Sequence, residues 1–126
     1  MSRPKPVSTS VASFILTRFP SVPHLEAVLQ LRSSPAHGRT AQEIARSLYV
    51  PEATAMKIAE SLAEAGLLSK DGACYRYAAT NALAQMMDEV AREYAGNLVA
   101  VTQLIHGGER RRAQHFADAF KLRKDP

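Results

Sequence analysis

Residues 40–79 read TAQEIARSLYVPEATAMKIAESLAEAGLLSKDGACYRYAA, and their pattern decides the fold. Thr40 followed by Glu43 is a capping box, so a helix starts here, with Ile44, Ala45 and Leu48 turned toward a core. Tyr49-Val50-Pro51 interrupts it. Proline fits the start of a helix, where its missing N–H has no partner to lose. A second helix is therefore expected from about Glu52 to Ala65, with Ala55, Ala59 and Leu62 on one stripe and Ile58 beside it. Gly66 supplies the left-handed residue that closes it. Leu67 and Leu68 open a strand, Asp71-Gly72 turns it, and Ala73–Ala78 returns, with Tyr75 and Tyr77 on one face and Cys74 and Arg76 on the other.

Outward from this centre, residues 1–9 (MSRPKPVST) are basic and proline-containing and read as an arm. A short helix is expected over Ser10–Phe19, ended by Pro20. Ser21 is placed to cap a further helix that carries Pro23 in its first turn and Leu25, Val28 and Leu29 on one face. The run SSPAHGR (33–39) has the composition of a loop. Beyond Thr80 or Asn81, either of which can cap, Leu83, Met87, Val90, Tyr94, Asn97, Val101 and Leu104 alternate in steps of four and three. Such a seam predicts one helix of roughly 25 residues that pairs with a second copy, Asn97 fixing the register. Gly96 weakens the helix at that point, so a bend with packing inside one subunit is the alternative. His106-Gly107-Gly108 is expected to stop the helix, and Glu109 to open a last one bearing Ala113, Phe116, Ala117 and Phe120.

The 126 residues thus divide into an arm and short helix (1–20), a central domain (21–80) and a helical extension (81–126). The fold class is mainly α, with a small two-stranded β wing. With 46% apolar and 22% charged residues and no Trp, the chain can bury an aliphatic core. No apolar run approaches a membrane span, and the stretch 11–16, closed by Arg18, is too short for a signal peptide. A cytoplasmic location is expected. One cysteine excludes a disulfide within the chain.

The segment AQEIARSLYVPEATAMKIAESLAEAGLLSKDGACYRYAAT (41–80) resembles the winged helix-turn-helix of MarR-type bacterial transcriptional regulators. The A-x-E-I-A helix, the turn ending at Pro51, Thr54, the L-x-E-A-G-L-L exit and the D-G-x-x-Y-R-Y hairpin carry the likeness, over about a third of the chain. It implies a homodimer that places helix 52–65 in the major groove of double-stranded DNA. Thr54 and Lys57 on the recognition helix, and Lys70 and Arg76 on the wing, would make the contacts. The resemblance also assigns the long helix to dimerisation, through the seam residues above.

Charge sets a second expectation beside this one. The net charge is +4, yet residues 1–40 carry five cations against Glu26 alone, while residues 41–80 carry four against five acids. Base contacts usually come from Arg, Lys, Asn or Gln, and among the outward positions of helix 52–65 only Lys57 is of that kind. Glu52 and Glu60 flank it. A protein-binding module without DNA affinity is therefore the alternative.

Other features invite chemistry and decline it. Arg110, Arg111 and Arg112 spread around a helix rather than forming one patch, and read as a solvated face or as partners for Asp88, Glu89 and Glu93. Cys74 reads as a small hairpin residue before it reads as a redox sensor coupled to a ligand pocket. His24, His37, His106 and His115 show no pairing at helical spacing, so neither metal nor cofactor is expected. No nucleophile–base pair, phosphate-cradling loop or carboxylate pair marks an enzyme.

Overall fold

The computed structural model describes residues 6–124, with side chains to Asp118. The basic residues Arg3 and Lys5 of the arm lie outside the described residues. Six helices and a small antiparallel sheet follow in the order α1 (Thr9–Arg18), α2 (Val22–Ser33), β1 (Arg39–Thr40), α3 (Ala41–Leu48), α4 (Glu52–Glu64), β2 (Leu68–Asp71), β3 (Cys74–Tyr77), α5 (Asn81–Gly96) and α6 (Leu98–Lys124). None of the helices described is long and apolar enough to cross a membrane.

The central helices form for the reasons their sequence gives. Thr40 Oγ1 accepts from the Glu43 N–H at 3.2 Å while Glu43 Oε1 accepts from the Thr40 N–H at 3.1 Å, so the box satisfies two donors at the start of α3. Three consecutive backbone positions then set the angle between α3 and α4. Tyr49 takes a left-handed φ of 57°, Val50 donates back to Ala45 O, and Pro51 begins α4. One face of α4 (Ala55, Ile58, Ala59, Leu62) is buried against α2 and α3. Gly66, at φ 80°, lets Leu67 N–H reach Leu62 O at 3.0 Å and sends the chain into β2.

The sheet has three strands, not two. β3 is central, with β2 and β1 antiparallel on its edges, Arg39 opposite Tyr75 and Thr40 opposite Cys74. β1 occupies the end of the segment expected to be a loop. Two residues are too few to show a period of two, and Gly38 before them disguises the strand. That glycine is a packing requirement: a Cβ there would stand 2.9 Å from Cys74 Cβ. Ser21 departs from expectation as well. It precedes α2 without a side-chain capping bond, and its hydroxyl lies 2.6 Å from His24 Nδ1 instead.

The C-terminal third corrects the expected helices. The chain breaks at Gly96 and Asn97, with Asn97 in a conformation neither helical nor extended (φ −146°, ψ 47°). Asn97 N–H closes α5 on Glu93 O at 2.7 Å, and Asn97 O accepts from Val101 N–H to start α6. Helix α6 then runs unbroken through Gly107-Gly108, the expected stop, and through Glu109, the expected start of a separate helix. Gly108 is buried because α6 lies against α1 there, where a Cβ would meet Leu16 Cδ2 at 3.0 Å.

The break lets both halves of the seam face inward. Met87 and Val90 of α5 and Val101 of α6 have no exposed surface, and Leu83, Tyr94 and Leu104 pack partly onto the same core. That core also takes Val11, Ile15 and Phe19, with Leu25, Val28 and Leu31 of α2. Arg32 holds Asp88 across α2 and α5 at 2.6 Å, and Arg112 donates to Pro20 O at 2.6 Å, tying α6 to the corner between α1 and α2. The seam residues expected to meet a second subunit are thus largely covered within one chain. The alternative of a bend at Gly96 describes what is found.

Candidate nucleic-acid interface

Helix α4 uses one face for the core, and everything opposite is open. Glu52, Ala53, Thr54, Met56, Lys57, Glu60 and Glu64 are all exposed. At 100° per residue, Ala53, Lys57, Glu60 and Glu64 lie on the outermost line, Thr54 on one flank and Glu52 with Met56 on the other. The buried face (Ala55, Ile58, Ala59, Leu62) packs on the core and leaves this ridge uncovered.

Beside the second flank stands the β2–β3 hairpin. Cross-strand partners share a face, so Lys70, opposite Tyr75, projects on the side of the buried Tyr75 ring, its Nζ 5.7 Å from the ring centroid. A cleft of about 470 Å³ opens between the start of α3, the start of α4 and this side of the hairpin. Its walls include Gln42, Glu52, Met56, Lys70 and Tyr75. Arg76, paired with Ser69, lies on the other face of the hairpin with Cys74, and is exposed.

The four expected contact residues are therefore only partly gathered. Lys57 and Thr54 share the exposed side of α4, Lys70 reaches toward that helix from the hairpin, and Arg76 faces away from the cleft. Gln42 was not singled out in the sequence, although it can donate to a phosphate or a base edge. Its place two residues after a capped helix start, on the polar side of α3, is the signal that marks it.

Charge across this surface is mixed. Lys57 and Lys70 stand among Glu52, Glu60 and Glu64, and Glu43 at the start of α3 is held ionised below the usual carboxylate range by its bonds from Thr40. Two cations among four carboxylates leave this surface with separate point charges and no broad positive field. The thiol of Cys74 is half-buried on the outer face, close to the Arg76 stem through Gly38. Comparison with the models of known protein families, with curated proteins and with solved structures found no match for this chain.

Proposed function

We propose that the protein is a DNA-binding regulator of the winged-helix type, resembling the MarR-type proteins, which acts as a homodimer in the cytoplasm. The observation that carries this reading is the pairing of an uncovered α4 ridge with a hairpin whose Lys70 leans toward it. The order α2, β1, α3, α4, β2, β3 around a three-stranded sheet supports it, being that of a winged helix. Helix α4 would enter the major groove, with Thr54 and Lys57 toward bases and backbone. Gln42 and Lys70 would hold phosphates on either side of the cleft, and Arg76 would reach backbone only past the hairpin edge. With so few cations the affinity depends on shape and on a few contacts, so the salt dependence should be shallow, a log–log slope of about −2 to −4.

The test is a polarisation titration with a random duplex and with the protein's own upstream DNA, at low and moderate salt. Tighter binding to the upstream sequence is expected, weakened for both duplexes by Lys57→Glu. Absence of duplex binding at low salt would overturn the proposal.

A second reading is favoured by the acids on the same ridge. Glu52, Glu60 and Glu64 suit a basic protein partner better than a phosphate backbone. That reading expects no duplex affinity and a partner released by Glu60→Lys.

A further inference from the structure

Past Gly108, where it lies against Leu16 of α1, helix α6 leaves the body of the protein. Arg112 still donates to Pro20 O, yet every side chain from Glu109 to Asp118 is exposed. The helical backbone continues to Lys124, so residues 109–124 run for about 24 Å at 1.5 Å per residue. This segment carries six Lys and Arg against Glu109 and Asp118, a net +4 that equals the charge of the whole chain. The rest of the protein is balanced, and its excess positive charge sits on one projecting helix. The arginine run does not pair with Asp88, Glu89 or Glu93. Asp88 is held by Arg32, and Arg110 and Arg111 make no ion pair among the described residues. Free cations alone would be an ordinary solvated surface, but Phe116 stands among these, 75% exposed. At 100° per residue, Ala113 neighbours the ring, Arg112 flanks it on one side, and Arg110 lies beyond Ala113 on the other. Asp118 is on the reverse, where it accepts from Gln114 at 3.0 Å. Phe120 follows one turn later in the sequence, with Lys121, Arg123 and Lys124 after it.

We propose that residues 109–124 of α6 dock on an anionic lipid surface, Phe116 entering the headgroup region and the cations meeting the lipid phosphates. A basic run on an amphipathic helix, about four to eight cations strong, is what an anionic leaflet attracts. The exposed ring decides between this surface and other polyanions. A duplex backbone presents phosphates and has no use for a phenyl ring beside them. An acidic protein would need a groove shaped to the ring. A fluid bilayer surface accepts both parts at once: the ring reaches the acyl boundary while long Arg and Lys stems keep their charged ends among the headgroups. The helix would lie on the surface and not cross it, for no described helix is long and apolar enough to span. Arg112 stays on Pro20 O and fixes the segment to the corner between α1 and α2. Helix α6 packs chiefly on α1 and α5, whereas α4 packs chiefly on α3 and α2. The lipid-facing segment is thus separate from the α4 ridge and does not rest on DNA binding.

Co-sedimentation of the full chain with vesicles tests it, one set of phosphatidylcholine alone and one containing about a third phosphatidylglycerol. Binding to the anionic set is expected, about tenfold or more tighter than to the neutral set and weakened by salt. Arg110→Glu combined with Arg111→Glu should lower that affinity about tenfold or more. Phe116→Ser should lower it several-fold while circular dichroism and any affinity for a random duplex stay those of the parent. No preference for anionic vesicles overturns the proposal, as does binding indifferent to the paired arginine change. Binding indifferent to Phe116→Ser overturns it too, since charge alone would equally suit an acidic protein. Equal losses of vesicle and duplex affinity in the paired arginine variant would make the segment a nucleic-acid arm and overturn the lipid assignment. Failure on any of these counts leaves duplex binding through α4 untouched.

Discussion

Tyr49 sits between α3 and α4 in the left-handed region and is 95% exposed, so its ring contributes little packing to offset the strain. A non-glycine residue there costs roughly 1–2 kcal/mol, against which glycine pays part of the gain back in unfolded-state entropy. Tyr49→Gly should therefore raise stability by up to about 1 kcal/mol in urea titrations. A loss would show that the ring is held by something other than solvent. His24 carries the clearest pH dependence. Burial lowers its pKa first, the nearby Arg112 adds to this, and Glu109 opposes weakly. The unfolded chain then binds the proton more readily than the folded one, so stability is full above the ordinary imidazole range and falls as pH drops through it. Urea midpoints at pH 7.5 and 5.5 should differ less in His24→Gln than in the parent. An equal difference in both would remove His24 as a cause. His24 was seen in the sequence only as an unpaired histidine, because its environment comes from a helix that starts more than seventy residues later.

At the scale of elements, local signals and long-range packing divide the success of sequence reading. The capping box, the Pro51 start, the Gly66 exit and the Asp71-Gly72 turn each depend on residues within one turn, and each stands where its local chemistry puts it. The α5–α6 joint and the passage through Gly107-Gly108 do not. A helix continues through a glycine pair when tertiary packing outweighs the propensity cost, and Gly108 is where α6 meets Leu16 of α1. Gly107 meets nothing within 4 Å, so Gly107→Ala should stabilise by about 1 kcal/mol. Gly108→Ala should gain less or lose, because the Leu16 side chain must move. Thermal melts of the two variants separate these outcomes, and equal gains would contradict the close approach. The seam from Leu83 to Leu104 was legible as an apolar stripe, but a stripe does not say whether its partner is the same chain. Met87 is fully buried inside the chain. Met87→Ala should thus cost about 2–5 kcal/mol independently of protein concentration. A cost that vanished on dilution would return Met87 to an intermolecular interface.

For the whole molecule, the order of elements was readable and their third strand was not, since β1 is defined by its pairing with β3 rather than by its own composition. That Thr54 and Lys57 belong to α4, and Lys70 and Arg76 to the hairpin, was readable in the sequence; the place of Gln42 at the cleft and the arrangement of the other four were not. Lys70 and Arg76 differ by an even number of positions, but they lie on opposite strands of the hairpin, and only the register shows that they project from opposite faces. The uneven charge along the chain is consistent with contacts that are few and positioned rather than numerous. DNA binding through the α4 and Lys70 side of the hairpin is the central claim, and it is tested most directly by comparing duplex affinity at low salt among the parent, Lys57→Glu combined with Lys70→Glu, and Arg76→Ala. The expected result is measurable binding by the parent, a loss of about tenfold or more in the double variant, and a loss of less than about threefold for Arg76→Ala. Binding unchanged in the double variant, or no binding by the parent, would contradict it.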